Sequence, residues 1–411
     1  MADIKPFMGY HPSYDMASKV SSPPYDVMTS DEARLMAQEN TLSFLRIIKP
    51  EIDFESGSEP NLEILHKHGS DNLYQFIDEG ILNQDENNCF YLYQIQMKGH
   101  IQTGIMAVVS VEEYNQGYIK KHEFTRPDKE NDRTKHIDIT NANTGPVLLT
   151  YRNDGEFQNL VFDIKNKSPE IFFTADDQTT HTLWKIDYID QIDLLRGYFK
   201  SIPNLYIADG HHRAASASRV QKIRQDENFH HTGDESYNYF LAVIFPDDEM
   251  QIMDYNRVAK DLNGLTEKEF LKAIESSFLL TSIPLPLNSI TQNTFSMFLN
   301  NKWYQLVAKN HIKSNDPVGG LEATILQNHL FSPILGINNP RTDERIDFVG
   351  GIRGMKELER RCQTDCAVAF ALPPVTIEKL LSVADSGGVM PPKSTWFEPK
   401  LRSGMVVRLI D

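Results

Sequence analysis

The chain has 411 residues, 40% of them hydrophobic, and carries a formal net charge of -16 with only three cysteines. Its length exceeds the roughly 250 to 300 residues at which single cores stop growing, so two structural units are expected. The acidic balance opposes a nucleic-acid partner; no apolar run approaches the roughly 20 residues of a membrane span; and Cys89, Cys362 and Cys366 are too few for a disulfide framework.

In chain order, residues 1–6 mix acidic and basic side chains without the apolar core of a secretory signal, which leads us to expect a cytoplasmic protein. Residues 4–27 are rich in Pro, Tyr and Gly and read as extended segments and turns, ending in Pro23-Pro24-Tyr25-Asp26. A helix is expected after Thr29 or Ser30, with Asp31 and Glu32 in its first turn, and a longer one within 58–87 around Leu62, Leu65, Leu73 and Phe76. Residues 89–96 and 101–111, divided by Lys98-Gly99-His100, predict a hairpin. A strand at 119–125, a charged helix through Asp132-Arg133 and a strand at 147–150 come next, then a hairpin over 172–184 and a helix over 189–200. The apolar run 239–245 is a strand closed by Pro246-Asp247-Asp248. Beyond it, a helix from Leu265, a strand at 303–309, a helix near 321–330 and a strand at 346–350 suggest a second unit. This alternation predicts a mixed α/β (α+β) fold, with an N-terminal unit over 1–246 and a C-terminal α/β unit over 247–411.

The chemistry concentrates in residues 206–217, where Tyr206-Ile207-Ala208 breaks into Asp209-Gly210-His211-His212-Arg213 and resumes as an Ala-rich helix. Backbone N–H groups and the positive end of the dipole make such a helix start attractive to anions, and the histidines and arginine add donors. It lacks the pattern of a P-loop and of a dinucleotide fold. Gly210 allows close approach or positive φ, Arg213 can grip an oxyanion, and Asp209 can hold a metal ion, orient a histidine or cap the helix. Upstream, His122-Glu123 precedes Asp132-Arg133; Glu123 is a candidate general base, and Asp132 or Asp209 a candidate ligand of Mg2+. Pro24 fixes a turn that offers Tyr25 and Asp26 to a cleft. Near the C-terminus, Lys393-Ser394-Thr395 after a Gly-rich bend suits an anionic group, and its loop is expected to complete the cleft.

Five ordered motifs resemble the bacterial domain-of-unknown-function family ten-fifteen: Pro23-Pro24-Tyr25-Asp26-Val27, His122-Glu123 with Asp132-Arg133, residues 208–213, Tyr255-Asn256-Arg257, and residues 390–397. The Asp209 to Arg213 turn is also similar to the phosphate-binding box of the ParB and sulfiredoxin superfamily, and in particular of its free serine kinases. That resemblance implies a phosphate-binding core and transfer of a phosphoryl group from ATP, ADP or pyrophosphate, with Mg2+, to the hydroxyl of free L-serine. Gly210, His211, His212, Arg213, Lys393, Ser394 and Thr395 would then hold the donor, and Tyr25, Asp26, His122 and Arg133 the substrate. Glu123 would take the hydroxyl proton, with Asp209 and His211 as further catalytic groups. A ParB-like nucleotide-dependent switch and a phosphohydrolase using the same turn are the alternatives.

Overall fold

The computed structural model describes residues 2–287 and 290–410, and the chain divides into two compact units: Met1–Met250 with Pro399–Asp411, and Gln251–Glu398. Both mix helices and strands, so the fold is α/β as its periodicities predict.

The main sheet of the first unit contains, in chain order, β1 Ile4–Lys5, β2 Phe90–Met97, β3 His100–Ser110, β4 Ile119–Lys120, β5 Val147–Tyr151, β6 Ile171–Thr174, β7 Thr180–Ile186, β8 Leu205–Asp209 and β9 Tyr239–Pro246. Their spatial order is β4-β8-β5-β9-β3-β2-β7-β6, with β1 paired to β3. The β2–β3 hairpin forms where Lys98 and Gly99 both take positive φ (48° and 87°), the conformation that lets a two-residue turn match the strand twist. Strand β8 lies parallel to β4 and antiparallel to β5, which runs parallel to β9. All five residues of β5 are buried, as are four of the five in β8. The four longest helices of this unit are α1 Leu62–Asp78, α2 Pro127–Thr140, α3 Ile189–Ser201 and α4 His211–Glu227. Ile192, Leu195 and Phe199 of α3 and Ala214, Ala215 and Ala217 of α4 close over the sheet core with Leu149, Ile207 and Ile244. The small alanines of α4 let its first turns lie close to the strand ends, which fixes where the turn before it points.

Near the N-terminus the sequence signals are local and strong. Thr29 accepts from the Glu32 N–H while the Glu32 carboxylate accepts from Thr29 N–H at 2.8 Å, a capping box that starts the helix Ser30–Ala37. The long helix is shorter than its expected window: Asn61 caps α1, and residues 82–84 already form a strand.

The second unit is built on β10 Tyr255–Ala259, β11 Phe278–Ile283, β12 Thr294–Leu299, β13 Lys302–Ala308, β14 Ile346–Gly350 and β15 Val368–Ala371, in the order β11-β13-β12-β15-β10-β14. Its pairs are antiparallel. The expected helix near 321–330 is an α-turn, Glu322–Leu326, that widens into a π-turn over Gln327–Phe331.

The expected second unit of 247–411 is corrected at its end. Instead of staying with that unit, the tail Pro399–Asp411 belongs to the first. Tyr10 and Val407 exchange two backbone hydrogen bonds of 2.8 Å, Ser22 and Ser403 exchange two of 3.0 and 2.9 Å, and Arg408 pairs with Asn143. These long-range pairings outweigh sequence proximity.

Candidate functional site

Strand β8 ends in a bulge: Ile207 pairs with Leu149 and Asp209 with the adjacent Leu148, leaving Ala208 as the extra residue. A bulge bends the strand and re-aims the residues beyond it. Gly210 comes next, at φ 93° and ψ 27°, and forms the N-cap of α4, with no side chain accepting from the first turn and no acidic residue in it. Asp209 does not cap the helix. Its Oδ1 accepts the Gly210 N–H at 2.8 Å, and its Oδ2 accepts from Lys400 Nζ at 2.9 Å. The helix therefore presents its positive end with His211, His212 and Arg213 on it. A Cβ on Gly210 would lie 3.4 Å from the Val147 Cα in a backbone region that L-residues avoid. Gly210→Ala is expected to cost about 1–2 kcal/mol and to lower Tm by a few degrees; an unchanged melting curve would show that the turn tolerates a side chain.

Arg213 also lines a small cleft of about 30 Å³, together with Tyr25, Arg133, Thr144, Gly145 and Ser403 among others. Two guanidiniums flank the Tyr25 ring, Arg133 with its Cζ 4.2 Å and Arg213 with its Cζ 5.6 Å from the centroid. Arg213 donates from Nη2 to Asp26 Oδ2 at 3.3 Å and from Nη1 to the Pro146 carbonyl. Arg133 donates from Nε and Nη2 to Asp132 Oδ2 at 2.9 and 2.7 Å. Burial opposes the charge on Arg213, but Asp26, Tyr25 and Asp209 outweigh it and hold the guanidinium above its ordinary value. Burial would raise the Asp209 carboxyl, yet Lys400 and Arg213 more than offset this and keep it ionised. The Tyr25 phenol is pushed up to about 12, chiefly by burial, and stays protonated. At neutral pH the cleft thus holds two arginine cations, one hydrogen-bonded to Asp26 and the other to Asp132.

Beside the cleft stand His122, Glu123 and His211, the two histidines buried at 1% and 6% exposure and Glu123 half-buried. The imidazole centroids are 4.5 Å apart and nearly perpendicular, and the His122 N–H donates to His211 Nε2 at a long 3.5 Å. Among the described residues neither ring nitrogen of His122 makes a well-aligned hydrogen bond, although the Ile207 backbone is near enough to favour its protonated form. One ligand atom from each of the three residues lies within 4.8 Å of the others. Burial drives His211 well below its ordinary value and His122 down to about 4, so both rings are neutral at pH 7.

The low His122 value sets a pH window. Between 6.5 and about 4 the unfolded histidine holds a proton that the folded one refuses, so stability falls as pH drops through that range. It is unaffected by this residue above 6.5. The loss is up to about 3 kcal/mol. Urea denaturation at pH 7 and pH 4.5 is expected to show a smaller pH-dependent loss in His122→Asn than in the wild type; equal losses would contradict the buried neutral ring.

Tyr25, Asp26, Arg133 and Arg213 thus meet at one cleft, and His122 and Glu123 meet His211 at the turn. His212 points elsewhere, its Nε2 accepting from the Arg126 N–H at 3.0 Å. The two carboxylates expected to hold Mg2+ do not share a site. Asp132 is engaged by Arg133 and lies 3.1 Å from His66 Nε2, Asp209 is engaged by Lys400 and the Gly210 N–H, and neither belongs to the ligand cluster. Lys393, Ser394 and Thr395 fall in the second unit, where Ser394 Oγ donates to the Pro391 carbonyl at 2.7 Å and the Lys393 ammonium lies 5.7 Å over the Tyr255 ring. Sequence reasoning missed Lys400, Thr144, Gly145 and Ser403. The polar turn Asn143-Thr144-Gly145-Pro146 before β5 is a local signal for two of them, whereas Lys400 is 191 residues from Asp209 and leaves none.

No curated protein matches the chain. Among solved structures it is similar to a free serine kinase variant in complex with ADP, at 13% identity and a TM-score of 0.38, covering 71% of this chain and 87% of that one. It is similar to a conserved hypothetical protein from Pyrococcus furiosus, at 13% identity and a TM-score of 0.34, covering 72% and 93%. SbnI with a C-terminal truncation, from Staphylococcus aureus, matches at 11% identity and a TM-score of 0.37, covering 71% and 82%. A family model matches residues 4–324, most of the chain, and carries the motifs at Tyr25, Glu123 and Asp209 within it: the chain belongs to DUF1015, a family of proteins of unknown function.

Proposed function

We propose that the protein is a phosphotransferase that moves a phosphoryl group from a nucleotide or pyrophosphate to the hydroxyl of free L-serine. One observation carries this reading: two guanidiniums, Arg133 and Arg213, flank one ring and line one cleft at the uncapped start of α4. Phosphoryl transfer asks mainly for positioning and charge neutralisation, and buried cations beside a helix N-terminus supply both.

In the proposed step the terminal phosphoryl of ATP, ADP or pyrophosphate is held by the Arg213 and Arg133 guanidiniums at the edge of the Tyr25 ring. The serine oxygen forms the new P–O bond, the bridging P–O bond breaks, and ADP, AMP or orthophosphate leaves with the electron pair. The hydroxyl proton passes to the Glu123 carboxylate. His211 is neutral and can donate or accept a hydrogen bond at the same end of the helix. Asp209, tied to Lys400, fixes the turn. Asp132 and Asp209 do not fit a magnesium ion, since both carboxylates are engaged by cations; Mg2+ is proposed only as the companion of the donor phosphates, and no step is routed through it.

Orthophosphate release distinguishes this reading from its rivals. With ATP or ADP, the donor is expected to be consumed only when L-serine is added, without matching orthophosphate. Equal orthophosphate with and without serine would make the protein a phosphohydrolase, and binding without consumption would make it a nucleotide-dependent switch.

A further inference from the structure

The cluster at His122, Glu123 and His211 differs in chemistry from the carboxylates that the sequence offered for magnesium. It provides two imidazole nitrogens and one carboxylate oxygen. Magnesium prefers oxygen donors and retains its waters, whereas imidazole suits borderline first-row divalent cations. Three protein ligands with positions left open is the arrangement of a catalytic rather than a structural site.

We propose that His122, Glu123 and His211 bind a borderline divalent cation of the Zn2+ or Co2+ class at the start of α4. Three independent observations support it. The ligand atoms lie within 4.8 Å of one another, while tetrahedral bonds of about 2.1 Å place ligands roughly 3.5 Å apart, so side-chain rotations that move atoms by about 1 Å close the site. Among the described residues neither ring nitrogen of His122, at 1% exposure, makes a well-aligned hydrogen bond, and the Ile207 backbone serves at most one of them, so the other is a buried polar atom that a cation relieves. Among the described residues His211 Nε2 accepts a 3.5 Å contact from the His122 backbone N–H, at the outer limit of a hydrogen bond, so metal ligation displaces little.

The site deepens the phosphotransferase reading, on whose cluster it rests, without depending on a donor or an acceptor. The three ligands are not among the residues that line the Arg133 and Arg213 cleft.

The test is a titration of the metal-free full chain with CoCl2 alone, monitored by visible absorption. One equivalent is expected to develop the intense d–d bands of a four- or five-coordinate site, and excess MgCl2 is expected not to displace them. His122→Ala and His211→Ala should abolish the bands. Glu123→Gln, at a half-buried position where folding is safe, should weaken affinity at least about tenfold. The pale spectrum of the hydrated ion with the wild type, or unchanged bands and affinity in Glu123→Gln, would overturn the site. Since no phosphoryl donor is present, a negative result leaves the phosphotransferase reading standing, and an inactive enzyme with cobalt bands leaves the metal site standing.

Discussion

Arg213→Ala is expected to weaken the binding of ADP or pyrophosphate by at least about 100-fold, because it removes a charge-assisted fork from a desolvated cleft. The Arg213 side chain is only 13% exposed and serves the Asp26 carboxylate, the Pro146 carbonyl and the Tyr25 ring at once. Its loss leaves Asp26 facing a cleft without its cation. With Asp26 35% exposed and the contact 3.3 Å long, solvent screens the pair, and its loss is expected to cost about 1 kcal/mol of stability. Arg213→Lys keeps the charge but not the planar fork and is expected to fall between. Calorimetric titration with pyrophosphate measures the effect on the folded fraction of each variant. Wild-type affinity in folded Arg213→Ala would remove the residue from the site.

Glu123→Gln is expected to act on chemistry rather than binding. The amide keeps the shape of the carboxylate, the residue is half-buried, and the substitution leaves Arg133 and Arg213 in place. The rate of transfer should fall by about 10²–10⁴-fold, the usual contribution of a positioned base, while donor affinity stays within about twofold. Single-turnover measurements at saturating serine separate the two quantities. Transfer at the wild-type rate would mean that the proton leaves by another route.

Local chemistry accounts for the parts of the molecule that are legible in the sequence. The Thr29–Glu32 capping box, the Lys98-Gly99 turn and the β8–Gly210–α4 junction each depend on residues within a few positions of one another, so propensity and turn conformation specify them. Tyr25, Arg133 and Arg213, which the sequence offers in three separate segments, line one cleft in space. Features that depend on long-range pairing leave no such signal. The return of the tail to Tyr10 and Ser22, and with it the placement of Lys400 on Asp209, rests on backbone bonds across nearly the whole chain. Asp132 misleads for the opposite reason: its neighbour Arg133 turns back on it with two hydrogen bonds of 2.9 and 2.7 Å, so an acid that reads as a metal ligand in sequence is an anchor for a cation in space. His122 reads in sequence as a substrate contact, and only its burial beside His211 gives it a ligand's surroundings.

The most direct test of the central claim is phosphorus NMR of the purified chain with Mg2+ and L-serine, offered ATP, ADP and pyrophosphate in separate samples, with Arg213→Ala alongside. A phosphoserine resonance that grows with at least one donor, and is absent from the variant, is the predicted result. Donors that stay intact in every wild-type sample, or that decay to orthophosphate at the same rate without serine, would contradict it.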